Sequence, residues 1–264
     1  MIGQKKILSK IENVTLSTFP HALMLEGSRG SGRKLLIHNI CQKLGFEYID
    51  ITDTISKELL DEIYLKTIPM VYVINIDNLT VKQENSILKF VEEPLNTIFI
   101  VFVTENKDLV IPTIVNRCQV WTLQTYSKQE LETLIINRED IFLLDYVDTP
   151  GELLVYQRNK DNILQMIAMS DKILDCISRA SIPNILTIPD KMCFDKEQNK
   201  WDVDHFINIL YHTIRRRYMK HPELSYYEAY RITSKLCYAL RIPRINKRKL
   251  VENYLLDLKY IVRS

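Results

Sequence analysis

Glycine is scarce in this chain, with only six among 264 residues, and three of them, Gly27, Gly30 and Gly32, crowd into one short stretch. Close cysteine pairs are missing as well. Cys41, Cys118, Cys176, Cys193 and Cys237 are scattered, which argues against a zinc site or a disulfide framework and for reduced, mostly buried thiols. No run of about 18 apolar residues occurs, so no membrane span is expected. The stretch from Met1 to Lys6 carries charge without an apolar signal region behind it. These absences together favour the cytoplasm. The net charge of +2 is too small to argue by itself for a nucleic-acid partner. With 46% hydrophobic and 26% charged residues, the composition argues against disorder and for a packed core.

What is present falls into two halves. A short leading helix is expected around Ile7, Leu8 and Ile11, then a strand from Ala22 to Leu25. Leu35, Leu36, Ile40 and Leu44 form an apolar stripe at helical spacing that Gly45 ends. Further strands are predicted at Phe46 to Ile51, Met70 to Ile76, Ile98 to Val103 and Val120 to Leu123. Helices are predicted at Ile55 to Leu65 and at Val81 to Glu93, the latter stopped by Pro94. The strands at 70–76 and 98–103 are nearly continuous apolar runs, as in a parallel sheet covered on both faces. Alternating strands and helices argue a three-layer α/β domain whose ligands bind at the carboxyl ends of the strands. After Thr125 only helices are legible. Ser127 with Glu130 reads as a cap, and Pro150-Gly151 opens a helix. Apolar stripes follow at Ile163, Ile167, Leu174 and Ile177, then at Phe206, Leu210, Ile214 and Tyr218, and finally at Leu250, Tyr254, Leu255, Leu258 and Ile261, with Asn246 as a candidate cap.

The chemistry-bearing stretch is Leu23 to Lys34, a strand, a glycine-rich loop and a helix start. Gly27 and Gly32 have the spacing of a phosphate-binding loop. Arg33 fills the lysine seat and Lys34 the hydroxyl seat that would hold magnesium. Arginine is a planar fork where a compact ammonium is needed, and a charged lysine cannot ligate magnesium. The partner motif is Asp77-Asn78 after four apolar residues. An aspartate there sits near magnesium and a following glutamate activates water, but an amide such as Asn78 cannot accept the water's proton. The bland readings are a glycine turn that binds nothing, and an Asp77 that only caps the helix after it. Arg215-Arg216-Arg217 reads as a solvated face rather than a DNA or subunit contact. His205 and His212 lack a partnering cysteine and are not read as metal ligands.

Several stretches resemble one family, the delta-prime subunits of the bacterial clamp loader, within the AAA+ superfamily. They are Ile2-Gly3-Gln4, His21-Ala22, the run from Glu84 to Pro94, and Pro112-Thr113-Ile114-Val115-Asn116-Arg117-Cys118-Gln119. The family writes Ser-Arg-Cys where this chain has Asn116-Arg117-Cys118. Ile245 to Leu250, followed by Leu255-Leu256, resembles the family's collar helices. The resemblance implies an AAA+ module over 1–124, a helical lid over 125–160 and a helical collar over 161–264. It implies an accessory subunit of the DNA polymerase III holoenzyme that does not itself hydrolyse ATP and helps load the sliding clamp onto primed DNA. Its partners would be the motor and clamp-opening subunits in a hetero-oligomer, the clamp, and primer-template DNA through the assembled ring, with no membrane. ATP would be bound by the partners. Arg117 would act in trans on a neighbour's ATP, against the plain alternative of a surface or salt-bridged arginine. Family members often carry a four-cysteine zinc module after the first helix of the domain; here Gly45 runs straight into Phe46, so no zinc is expected. An arginine that motor subunits carry on the lid is matched here by Glu152, whose charge would repel phosphates. Thr104 and Asn106, where the family senses the outer phosphate, read as strand-end caps. The rival readings are an active AAA+ ATPase with an atypical loop and a nucleotide-sensing adaptor.

Overall fold

The computed structural model describes residues 2–51, 55, 57–65, 68–93, 97–194, 201–242 and 245–262. Pro94, the expected stop of the helix before it, lies outside them. Two units form, one from Met1–Leu134 with Asp148–Glu152 and one from Ile135–Val147 with Leu153–Ser264.

The first unit begins with α1 (Lys5–Asn13) and continues β1 (Ala22–Glu26), α2 (Arg33–Leu44), β2 (Glu47–Ile51), α3 (Lys57–Tyr64), β3 (Met70–Asn75), α4 (Val81–Glu92), β4 (Ile98–Thr104), α5 (Pro112–Val115), β5 (Gln119–Thr122) and α6 (Lys128–Glu132). The strands make one sheet in the order β2-β3-β4-β1-β5, and every pairing is parallel. Successive side chains on a strand point to opposite faces, and both faces are apolar here. Leu23, Leu25, Val71, Val73, Val101, Val103 and Trp121 pack with Ile7 and Ile11 of α1 and Leu36, Ile37 and Ile40 of α2. Met24, Tyr72, Ile74, Ile100 and Phe102 pack with Ile63 of α3, Ile87 and Phe90 of α4 and Ile114 of α5. The expected three-layer α/β domain with a parallel sheet is therefore the one that folds. A side chain as buried as Phe102 contributes about 1.5–3 kcal/mol through apolar burial.

Chain entry into α4 is set by Thr80, whose hydroxyl accepts from the Gln83 N–H in a reciprocal capping box. Ser127 and Glu130 form the expected box at α6. The segment from Pro112 to Cys118 contains the short helix α5, with proline at its first position, where a missing N–H costs nothing.

The second unit contains α7 (Pro150–Arg158, which starts in the first unit), α8 (Lys160–Cys176), α9 (Ile182–Leu186), α10 (Val203–Lys220), α11 (Leu224–Ala239) and α12 (Lys247–Ile261), after a 3-10 stretch at Arg138–Asp145. Asn246 caps α12 by accepting from the Lys249 N–H. Lys259 is buried, and its ammonium donates to the carbonyls of Ser178 at 3.0 Å and Ala180 at 2.6 Å. The arginine run on α10 is not simply a solvated face. Arg217 donates to Asp171 and Asp175 of α8, both at 2.7 Å, and Arg216 reaches Asp171 at 3.3 Å. Burial alone would lower the basicity of Arg217, but its aspartate partners outweigh that and raise it. The five cysteines are free; Cys41 is buried and Cys176 is exposed, against the expectation of mostly buried thiols.

Candidate functional site: a braced phosphate-type loop and a distant arginine

The loop from Gly27 to Gly32 leaves the carboxyl end of β1 and runs into α2. Gly30 and Gly32 take positive φ of 80° and 94°, a region that side chains avoid. At Gly27 a Cβ would crowd Ser31 Oγ at 2.9 Å and Leu123 Cβ at 3.0 Å. The loop is braced by its own chain. The carbonyl of Arg29 accepts from the Thr149 hydroxyl at 3.1 Å, that of Gly30 from the Gly151 N–H at 2.9 Å, and that of Ser31 from the Tyr126 hydroxyl at 2.6 Å. Gly30 and Gly151 touch so closely that a Cβ on Gly151 would lie 2.6 Å from the Gly30 Cα.

Arg33 is half-buried at the start of α2, while the exposed Lys34 ammonium is paired with Asp50 of β2. The seat of the magnesium-binding hydroxyl is thus held by a charge turned toward a carboxylate of a neighbouring strand. Thr104, at the end of β4, joins the loop to Asp77: its carbonyl accepts from the Gly27 N–H at 3.0 Å, and its hydroxyl donates to Asp77 Oδ1 at 2.6 Å. Asp77 Oδ2 accepts from the Glu105 N–H at 2.8 Å. Asp77 does not cap α4, as one reading allowed; Thr80 does, and Asp77 ties β3 to β4. Asn78 is exposed in a 3-10 turn over Ile76–Asn78. Thr104 and Asn106 do serve as local caps, Asn106 accepting from the Asp108 N–H at 2.9 Å.

Sequence reasoning missed Glu26 at the end of β1. It accepts from the Thr122 hydroxyl at 2.8 Å and from the Lys107 N–H at 3.2 Å. Burial pushes its carboxyl up, but Thr122 and Lys107 together outweigh burial and leave it below the ordinary glutamate value. Thr149 was missed too, though Thr149-x-x-Glu152 is a readable capping box. Glu152 accepts from the N–H groups of Asp148 and Thr149 at 3.0 and 3.2 Å. Desolvation raises its pKa, and the half-buried side chain expected to repel phosphates is engaged in capping the N–H groups of Asp148 and Thr149.

Arg117 lies elsewhere. It follows α5 and precedes β5, at the amino ends of the parallel strands, whereas the loop, Asp77 and Asn78 lie at their carboxyl ends. A strand of this length separates the two ends by roughly 15 Å. Arg117 is exposed; it donates to the Thr113 carbonyl at 2.9 Å and is paired with Glu92 at 2.9 Å. No group of three His, Cys, Asp or Glu side chains is placed to hold a metal among the described residues. Among them, no helix is long and apolar enough to cross a membrane.

A five-stranded parallel sheet with a glycine-rich loop after its first strand, followed by a helical region, is the architecture of a phosphate-loop-type α/β domain. Comparison with known proteins narrows this. Residues 48–127 match the family described as "DNA polymerase III, delta subunit". The chain is 29% identical over 166 residues to DNA polymerase III subunit gamma of Buchnera aphidicola subsp. Acyrthosiphon pisum, covering 50% of this chain and 46% of that one. It is 33% identical over 69 residues to the delta-prime subunit of Bacillus subtilis, covering 26% of this chain and 21% of that one. It therefore spans less than half the length of either curated relative. In structure it is similar to a DNA polymerase III gamma subunit-related protein of Thermotoga maritima, with a TM-score of 0.55 at 14% identity over 99% of this chain and 100% of that one. A Thermotoga maritima RuvB variant gives 0.52 at 15% identity over 75% and 86%. Over part of its length the chain is thus similar to gamma, delta and delta-prime subunits of DNA polymerase III, and its α/β domain with the helical region after it has the AAA+-like fold of the solved gamma subunit-related protein.

Proposed function

We propose that this chain is a delta-prime-like clamp-loader subunit that hydrolyses no ATP and supplies Arg117 to a nucleotide held by an adjacent motor subunit. The observation that carries the reading is the separation of Arg117 from the loop by the length of the sheet. A phosphate met by Arg117 must belong to another molecule. The chain's own loop supports the non-hydrolysing half: Arg33 and Lys34 occupy the two chemical seats, Lys34 is paired with Asp50, and Asn78 offers no base. On this reading 1–124 is the AAA+ module, 125–160 the lid and 161–264 the collar through which a hetero-oligomer assembles. The motor subunits bind the ATP, and the ring acts on the sliding clamp and primer-template DNA in the cytoplasm.

The test is reconstitution with motor subunits, clamp and primed DNA. Arg117→Ala is expected to leave assembly intact and lower stimulated turnover at the one site it serves, where a trans arginine contributes on the order of a thousandfold. Arg117→Lys rescues poorly because lysine lacks the planar fork. Unchanged turnover and clamp loading in a normally assembled alanine ring would remove Arg117 from the mechanism. The isolated chain should show no ATP turnover above background.

A nucleotide-sensing adaptor is the second reading, favoured by the intact loop turn at Gly30 and Gly32. Calorimetry on the isolated chain separates the two, since an adaptor binds ATP or ADP tightly without partners.

A further inference from the structure

The helix α4 holds the segment carrying Arg117 at both ends. Near its start Glu84, buried, accepts from the Ile111 N–H at 3.0 Å, just before α5. Burial pushes the Glu84 carboxyl up, the Ile111 N–H offsets part of that, and the charge of Asp77 adds to the rise. At the far end of α4 Glu92 pairs with the Arg117 guanidinium. The two glutamates lie roughly 12 Å apart along the helix axis. The guanidinium is held at both terminal nitrogens, Nη1 donating to the Thr113 carbonyl and Nη2 ion-paired with the Glu92 carboxylate.

We propose that Glu92 is a positioning residue for Arg117, holding the guanidinium at the amino-end rim of the sheet in the orientation from which it meets an anionic phosphate oxygen on an adjacent molecule. This rests on the trans-arginine reading above. The planar fork makes it physically reasonable. A guanidinium delivers charge-assisted hydrogen bonds only in its own plane, and a long unpaired arginine at an exposed position samples many rotamers before it finds that plane. A carboxylate at one terminal nitrogen removes most of that search, and a guanidinium with five N–H groups keeps donors for a phosphate oxygen beside it. Glu92 touches no reacting atom. Its effect is confined to how often Arg117 is correctly oriented.

The test uses the full chain in the reconstituted assembly and reads total stimulated ATP turnover, the difference between wild type and Arg117→Ala defining the part that depends on Arg117. Glu92→Ala should lower that part about two- to fivefold, the range set by a partly exposed ion pair, through kcat and with KM unchanged. Glu92→Gln keeps an acceptor oxygen and should fall between alanine and wild type. The gap between wild type and Glu92→Ala should narrow as salt is raised, because exposed charges are screened. In an Arg117→Ala background Glu92→Ala should add nothing. Unchanged or faster turnover in Glu92→Ala, beside a clear Arg117→Ala defect, overturns the positioning role and leaves the trans arginine standing. A Glu92→Ala loss of equal size in the Arg117→Ala background marks a structural effect on α4 and overturns it too. No defect in Arg117→Ala overturns the trans-arginine reading, and the positioning role with it.

Discussion

Replacing Gly151 by alanine tests the brace on the loop. The new Cβ would lie 2.6 Å from the Gly30 Cα and 2.9 Å from its carbonyl oxygen. Both are backbone atoms, so no side chain can swing aside, and the 148–152 segment must retreat by about 1 Å to reach ordinary packing distances. That retreat stretches the Gly151 N–H bond to Gly30 and the Thr149 hydroxyl bond to Arg29, now 2.9 and 3.1 Å. Each is worth about 0.5–1.5 kcal/mol net, and the forced contact costs about 1–3 kcal/mol. Alanine returns about 1 kcal/mol through its better helix propensity. The net expectation is a loss of about 3 kcal/mol, read as a shift of about 6–12 °C in the melting temperature. Gly45→Ala is the control. Gly45 has φ of 70° with nothing within 4 Å of a built Cβ, so it costs only the local backbone strain of about 1–2 kcal/mol. Urea unfolding and amide exchange at residue 151 are the assays. If Gly151→Ala is as stable as wild type and the amide of residue 151 stays fully protected, the close approach is not a constraint and the brace argument fails.

Three further outcomes follow from particular groups. Arg33→Lys with Lys34→Thr should not create an ATPase, because Asn78 still lacks a base; phosphate release at a rate like that of the motor subunits would refute that view of Asn78. It should change stability by less than about 1 kcal/mol, since the Lys34–Asp50 pair it deletes is largely exposed. Lys259→Met should destabilise the helical unit by about 2–3 kcal/mol, as carbonyls at the end of α8 lose a charged donor; a urea midpoint within error of wild type would show that water replaces the ammonium freely. His21 donates through Nε2 to the Phe90 carbonyl at 2.9 Å, and burial depresses its pKa despite the opposing hydrogen bonds. Its contribution is fully present above the ordinary histidine value of about 6.5 and is lost as pH falls through the lower folded value. His21→Leu should therefore flatten the loss of stability between pH 7 and 5, and an unchanged slope would exclude His21 as its source.

The sheet was legible because its strands are β-branched runs buried on both faces, and the caps at Ser127 and Asn246 because capping is local. Helix α11 was not legible. Its buried positions are Ala229, Thr233 and Leu236; one is small and one polar, so only Leu236 is left to mark an apolar stripe, and Thr233 is buried with its hydroxyl bonded to that of Tyr254 at 2.7 Å. Of the candidate site, the glycines and the two damaged seats could be read directly. The contacts that brace them could not: Tyr126, Thr149 and Gly151 are remote in sequence from the loop, and hydrogen bonds to backbone carbonyls leave no trace in residue type. The same holds for Arg217, whose partners lie on another helix. Thr80 and Asp77 were both chemically able to cap α4, and only the geometry of β4 decided that Asp77 would be drawn to Thr104 instead.

The placement of Arg117 and the loop at opposite ends of one sheet gives the domain a head and a tail. A contact that brings the tail of one molecule to the head of another joins two different surfaces, so it repeats in one direction and cannot close as a symmetric pair. Under the proposed reading this chain has a working tail and a disabled head. It can give to a neighbour on one side and has no use for a gift from the other, so stacking further copies of it would add length without adding a single competent site.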